Sequence, residues 1–273
     1  MVSLLESTKK TVIPRRLALC IEYDGTPYNG FQSQSTANTV QDKIEEALFK
    51  LTHTNTRIKA AGRTDSGTHA AQQIISLDVN NDYSPTTYIK ALNYFLPPEI
   101  KVKSAMDVQP TFDPRRDAIS RVYRYTIANQ ETAPALERNQ VHWIRQRLNV
   151  KNMHTAAQYL VGTHDFKELA APMQNSKSTI REMFRSEVWK ENNLIFVELE
   201  ANAFLTHQVR KIVSVLVGVG VGKASPTIIL DALKKNITLD KWAPVPAKGL
   251  CLLQVKYPNI MWEKEGSYAH EKF

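Results

Sequence analysis

Residues 17–23 (LALCIEY) are apolar at nearly every position, and a run of that length closed by Asp24-Gly25 reads as a buried strand followed by a turn. The period then changes. Val40, Ile44, Ala47, Leu48 and Leu51 recur at helical spacing behind Thr39, with Asp42 as the acidic partner of a capping box, so a helix opens at Thr39. Residues 57–61 and 72–79 have strand character on either side of a glycine-bounded loop. Ser84-Pro85 opens a second helix that Pro97-Pro98 stops after Leu96, and the alternation of Ile100, Val102, Met106 and Val108 predicts a strand over 100–108. The order strand, helix, strand, strand, helix, strand is the split βαβ arrangement of ferredoxin-like and RNA-recognition folds.

The second half repeats the theme. Residues 119–129 read as a strand, 150–161 as an amphipathic helix, and 180–191 pairs with 194–201 across Asn192-Asn193. Helices follow over 206–221 and 226–235, then a final strand over 250–257. The expected architecture is α+β: two ferredoxin-like, RNA-recognition-like subdomains with antiparallel or mixed sheets side by side, helices packed behind and an active-site cleft between. The division is an N-terminal extension (1–16), an N-terminal subdomain (17–110), a C-terminal subdomain (111–260) and a tail (261–273), with the boundary near Pro110 to Pro114.

A length of 273 residues, 42% hydrophobic and 23% charged, fits a globular protein with a sizeable core. The formal net charge of +8 points to a polyanionic partner such as nucleic acid. Cys20 and Cys251 lie in apolar, strand-like runs, which fits a reducing compartment and free buried thiols. The longest apolar run, 212–221, is too short to span a bilayer, and the N-terminus has neither a secretory nor a transit-peptide pattern, so a cytoplasmic protein without a membrane segment is expected. The seven histidines are scattered and no metal-ligand spacing occurs, so no metal is expected. Gly218, Gly220 and Gly222 mimic a dinucleotide fingerprint, but they end a helix where such a site needs a strand-to-helix turn; packing or termination explains them better.

The chemistry concentrates around residues 60–70 (AAGRTDSGTHA), where Gly62 and Gly67 bracket Arg63 and Asp65. Alone, an Asp in such a turn is more often a carboxylate bonding its own backbone. Two other features change that reading. In Arg121-Val122-Tyr123-Arg124-Tyr125, residues 121, 123 and 125 share one strand face, an aromatic and cationic surface on which a base or ribose can stack. Arg210 follows Phe204, Leu205 and Val209 and precedes Ile212 and Val213, beside otherwise apolar surface, and a cation there needs an anion or an escape to water; Asp65 is a candidate partner.

Nine segments in order now make the sequence recognisable. They are Tyr23-Asp24-Gly25, Gly30-Phe31-Gln32, Thr39-Val40-Gln41, Gly62-Arg63-Thr64-Asp65, Phe112-Asp113-Pro114-Arg115, residues 121–125, His164-Asp165-Phe166, Ala201-Asn202-Ala203-Phe204 with Val209-Arg210, and Gly249-Leu250. On these the chain resembles the TruA family of tRNA pseudouridine synthases along most of its length. The resemblance implies a cofactor-free isomerisation of uridine to pseudouridine in the anticodon arm of tRNA, on a homodimer that holds the RNA jointly. It makes Asp65 the catalytic nucleophile or base, Arg210 its ion-pair partner and Tyr123 an aromatic on the target base that also serves proton transfer. Arg63 would hold the flipped-out RNA and Leu250 would wall the base pocket. Phe112, Arg115, Arg116, Lys177 and Arg181 would contact the RNA. The alternative is a non-catalytic RNA-binding or tRNA-folding protein on the same scaffold, which has no use for an Asp and an Arg facing each other in a cleft.

Overall fold

The computed structural model describes residues 15–172, 178–258 and 262. The first half runs β1 (Arg15–Tyr23), α1 (Val40–Thr52), β2 (Lys59–Ala60), β3 (His69–Val79), α2 (Pro85–Phe95) and β4 (Ile100–Val108). The second runs β5 (Ser120–Ala128), β6 (His142–Trp143), α3 (Val150–Gln158), β7 (Gly162–Asp165), β8 (Ile180–Glu191), β9 (Leu194–Ala201), α4 (Gln208–Gly220), α5 (Ile228–Leu233) and β10 (Leu250–Lys256). Local chemistry sets several of these boundaries. Thr39 caps α1 by accepting the Asp42 N–H, Ser84 caps α2 ahead of Pro85, and Asn192 takes the left-handed turn conformation (φ 52°) between β8 and β9.

All the strands join one mixed sheet whose main path is β4-β1-β3-β10-β5-β9-β8-β7. In the first half β4-β1-β3, with β2 beside β3, is the 4-1-3-2 order of a ferredoxin-like unit, and β10-β5-β9-β8 repeats that order in the second. The α+β architecture of two related halves is therefore present, with their sheets fused edge to edge. The joint is the parallel pairing of Cys251 with His69 and Leu252 with Ala70. On β3 the neighbouring stretch at Ile75 and Ser76 belongs to β2. α1 packs on α2, α2 against β4, and α3 against α4 and β8. The core runs continuously through both halves, from Leu17, Leu19 and Ile21 on β1 to Ile195, Val197 and Leu199 on β9.

Several elements differ from expectation. The strand expected over 57–61 shrinks to two residues because β10 takes the rest of the adjoining edge of β3. β3 itself begins three residues earlier, at His69, in a stretch (HAAQQ) with no apolar alternation to announce it. The helix expected over 226–235 is six residues long and stops before Lys235 turns left-handed. β6 and β7 are too short to leave a periodic signature. Arg15 and Arg16, assigned to the N-terminal extension, belong to β1 and pair with Asp107 and Asp78; the rest of the extension, and the tail apart from Trp262, lie outside the described residues. Gly218 lies against Trp242 and Gly220 against Met153, each so close that a methyl group would collide, while Gly222 ends α4 at φ 81°. Among the described residues no helix is long and apolar enough to cross a membrane.

Behind β5, β8, β9 and β10 a ladder of ion pairs crosses the strands. Arg124 and Arg185 share Glu198, and Lys256 bonds Glu200 at 2.8 Å, where Ser120 also donates at 2.7 Å. Burial pushes the Glu200 carboxyl up, but the bonds from Lys256 and Ser120 outweigh it and hold the group below its ordinary value. A carboxyl lowered on folding contributes stability that is present above its unfolded pKa and is lost as pH falls through the folded one. Glu200→Gln is expected to cost about 1 kcal/mol at neutral pH, Lys256 being partly solvent-screened. The gap to wild type should narrow as pH falls below the ordinary carboxylate range, which urea unfolding at neutral and at acid pH measures.

Candidate active site

The loop between β2 and β3 is held from three sides. Gln73 donates to the Gly62 carbonyl (3.0 Å), the Thr64 hydroxyl bonds the Tyr23 hydroxyl (2.8 Å), and the Phe31 N–H donates to the Thr64 carbonyl (3.1 Å). The Thr68 N–H closes a turn onto the Asp65 carbonyl (3.0 Å), and the Gly67 N–H reaches the Tyr28 carbonyl (3.2 Å). Two glycines permit this closeness. A Cβ on Gly25 would stand 2.1 Å from the Thr68 carbonyl oxygen, and one on Gly30, already at φ 94°, would stand 2.9 Å from that of Thr64. The Tyr23-Asp24-Gly25 and Gly30-Phe31-Gln32 segments thus serve as walls for the Asp65 loop. His69 locks the loop to the second half: its Nδ1 lies 3.2 Å from the Gly25 nitrogen and 3.1 Å from the Asp24 carboxylate, and its Nε2 lies 2.9 and 3.1 Å from the carbonyls of Asn139 and Lys248.

Asp65 meets Arg210 across the joint. Arg210, in the first turn of α4, places Nη1 2.9 Å from Asp65 Oδ2 and donates from Nε to the Val245 carbonyl at 2.7 Å. Side-chain exposures of 29% for Asp65 and 17% for Arg210 leave the pair largely shielded yet reachable. His207, immediately before α4, brings Nε2 to 3.6 Å from the same Oδ2. These three groups lie in a cleft of about 440 Å³ walled by Asn29 to Gln32, Arg63 and Ser66.

The remaining site residues divide by place. Arg63 is exposed and lines the cleft. Tyr123 is buried, edge-on to Phe204 at 5.1 Å between centroids, and its hydroxyl lies beside Gly62. Burial pushes the Tyr123 phenol up, Arg121 opposes this, and the charge of Asp65 adds to the rise, so the phenol keeps its proton at neutral pH. Leu250 is buried at the start of β10, opposite Tyr125. Arg115 and Arg116 are exposed, their N–H groups bonded to Asp113. Arg181 lies on β8 with its guanidinium on the Ser178 and Ile180 carbonyls. Lys177 lies outside the described residues.

Two expectations need correction. Phe112 is buried against Tyr257, with centroids 5.3 Å apart, and its carbonyl is held by Arg16 of β1 at 2.9 Å; its ring offers no open face to RNA. On the face that Arg121, Tyr123 and Tyr125 share, Arg121 and Tyr125 are turned into the interior and offer no stacking surface; only Tyr123 borders the Asp65 loop, its hydroxyl beside Gly62. Arg121 is buried and donates to the carbonyls of Ala61, Arg115, Ala118 and Asn202, while Tyr125 donates to that of Pro246. Burial pushes the Arg121 guanidinium below its ordinary value, the expected cost of a cation satisfied by dipoles alone. His207 and His69 were not picked out from the sequence. His207 stands three residues before Arg210, but it lies ahead of α4 in a left-handed conformation, so helical spacing does not announce it. Among the described residues no three His, Cys, Asp or Glu side chains converge on a metal-sized site.

A family model described as tRNA pseudouridine synthase matches residues 19–115 and 156–258. The chain belongs to that family. The tRNA pseudouridine synthase A of Coxiella burnetii (strain Dugway 5J108-111) is 36% identical over 243 residues, covering 89% of this chain and 93% of that protein. That of Alcanivorax borkumensis is 38% identical over 246 residues, covering 90% and 92%. That of Legionella pneumophila (strain Corby) is 37% identical over 261 residues, covering 91% and 100%. A chain in a crystal structure of a Cbf5-Nop10-Gar1 complex aligns at 11% identity and a TM-score of 0.32, over 74% of this chain and 45% of that one, a likeness too slight to carry weight. In this pseudouridine synthase family member both matched stretches meet at the cleft, one bringing Asp65 and the other Arg210.

The packing of Gly25 against Thr68 is directly testable. Gly25→Ala must push the backbone of the Asp65 loop outward, and overpacking of this kind costs about 1–3 kcal/mol. Thermal denaturation is expected to show a lowered Tm, and an unchanged Tm would refute the close approach.

Proposed function

We propose that the protein isomerises uridine to pseudouridine in tRNA, with Asp65 as the reacting carboxylate. The observation that carries this reading is the 2.9 Å ion pair between Asp65 and Arg210 inside a cleft that is open to solvent. A purely structural pair has no need of such access. The reaction breaks the bond from ribose to uracil N1 and forms one from ribose to C5; N1 gains a proton, C5 loses one, and no net redox change occurs. Asp65 serves as nucleophile or as base. Arg210 orients the carboxylate through its bond to Oδ2. Tyr123, a protonated phenol, packs on the base and passes a proton, with Leu250 as an apolar wall.

A stacked uridine cannot reach Asp65, so it must be flipped into the cleft at a cost of a few kcal/mol. Arg63, exposed beside Asp65, holds the flipped strand, and Arg115, Arg116, Arg181 and Lys177 neutralise phosphates, which position RNA without reading its sequence. The net charge of +8 supports that partner. The target is the anticodon arm, the working form is a homodimer, the compartment is the cytoplasm, and residues 17–110 and 111–260 act as the two subdomains that close on the RNA.

Incubation with unmodified tRNA transcript followed by chemical mapping of pseudouridine tests the reading. Wild type is expected to form the product and Asp65→Ala to form none while still binding tRNA; product from the variant would remove Asp65 from the chemistry, and binding without product from wild type would favour a non-catalytic RNA binder. Arg210→Lys keeps the charge but cannot bond Val245 and Asp65 together. It is expected to slow conversion roughly 30- to 150-fold, as for a lost charge-assisted bond, with tRNA affinity largely kept.

A further inference from the structure

The protein treats the two oxygens of Asp65 unequally. Oδ2 receives Arg210 Nη1 and faces His207 Nε2, whereas among the described residues no donor bonds Oδ1. A guanidinium ordinarily clamps a carboxylate at two points. Arg210 does not: its Nε goes to the Val245 carbonyl, and Nη1 alone bonds Asp65. With a single point of attachment the carboxylate is free to pivot and exchange its oxygens. A second hold must come from elsewhere, and the His207 ring nitrogen is the other side-chain nitrogen within 4 Å of the Asp65 carboxylate among the described residues.

The backbone of His207 points the same way. It adopts φ 58°, ψ 7°, a left-handed conformation uncommon for a residue with a side chain. Helix capping does not explain it. The His207 side chain makes no cap bond, and the start of α4 is secured by Gln208, whose Oε1 accepts the Leu205 N–H at 2.7 Å. What the left-handed turn achieves is to carry the imidazole off the helix and into the cleft beside Asp65. At 3.6 Å the contact is longer than a hydrogen bond, as contacts in substrate-free sites commonly are before the ligand tightens them.

Building on the assignment of Asp65 as the reacting carboxylate, we propose that His207 is a positioning residue that holds Oδ2 jointly with Arg210, so that Oδ1 is the oxygen that reacts with the uridine. Two donors on one oxygen fix the carboxylate plane and turn the lone pairs of the other toward the cleft. The role is distinct from RNA binding: it acts on the rate of conversion after the base has entered.

The test compares wild type, Asp65→Ala, His207→Gly and His207→Gln by single-turnover conversion of unmodified tRNA transcript, with tRNA affinity from filter binding. Glycine accepts the left-handed backbone and removes the imidazole; glutamine returns a nitrogen donor to about the position of Nε2. His207→Gly is expected to slow conversion roughly 10- to 100-fold with affinity unchanged, as for the loss of one charge-assisted bond, and His207→Gln to recover most of the rate. His207→Asn, compatible with the same backbone but too short to reach Oδ2, carries the test if the glycine variant fails to fold. A glycine variant as fast as wild type overturns the proposal, and so does one that loses affinity at an unchanged rate. Wild type without product, or Asp65→Ala with it, would instead refute the assignment of Asp65, whatever the His207 variants do.

Discussion

Everything about this site depends on a joint two residue pairs long. Where Cys251 and Leu252 run parallel to His69 and Ala70, the sheets of the two halves become one, and Asp65 lies only four residues before that seam. The loop is carried by the first half, whereas Arg210 and Val245 come from the second. Neither half holds a complete site, and the geometry between them is as accurate as the seam. His69 reinforces it by bonding Gly25 on one side and the carbonyls of Asn139 and Lys248 on the other.

Arg121 is the second fastening. A buried guanidinium with four carbonyl partners and, among the described residues, no salt-bridged carboxylate is a costly way to stabilise a fold. Its value lies in direction. The carbonyls of Ala61, Arg115, Ala118 and Asn202 come from the entrance of the Asp65 loop, the link between halves and the approach to α4, and one planar fork holds all three segments in register. A hydrophobic side chain of the same volume would fill the space without specifying which carbonyls meet there.

Much of the fold was legible because its signals are local. The spacing of Val40, Ile44 and Leu48, the caps at Thr39 and Ser84, and the Asn192-Asn193 turn each decide their element from a few neighbours. The apolar surroundings of Arg210 likewise demanded a partner for its charge, and Asp65 stands at that position. What stayed hidden was set by distant chain. β2 is short because β10, some 190 residues later, claims the same edge, and nothing in residues 57–61 records that. Phe112 and Arg121 look like RNA contacts in sequence, since a strand pattern tells which residues share a face but not whether that face is interior. His207 was obscured by its backbone, which no helix rule anticipates for a histidine.

β10 is also among the last elements to be made. While the chain is being translated, β3 waits for its central neighbour through more than half of the protein's synthesis, on the order of ten seconds at ordinary elongation rates. An unpaired strand edge in that interval is an invitation to aggregate. The two residues of β2, which cover Ile75 and Ser76, are available from the outset as a small guard on that edge. The carboxylate of Asp65 is exposed to the cell long before Arg210 emerges, so a partly synthesised chain carries the reactive group without the cation that aims it.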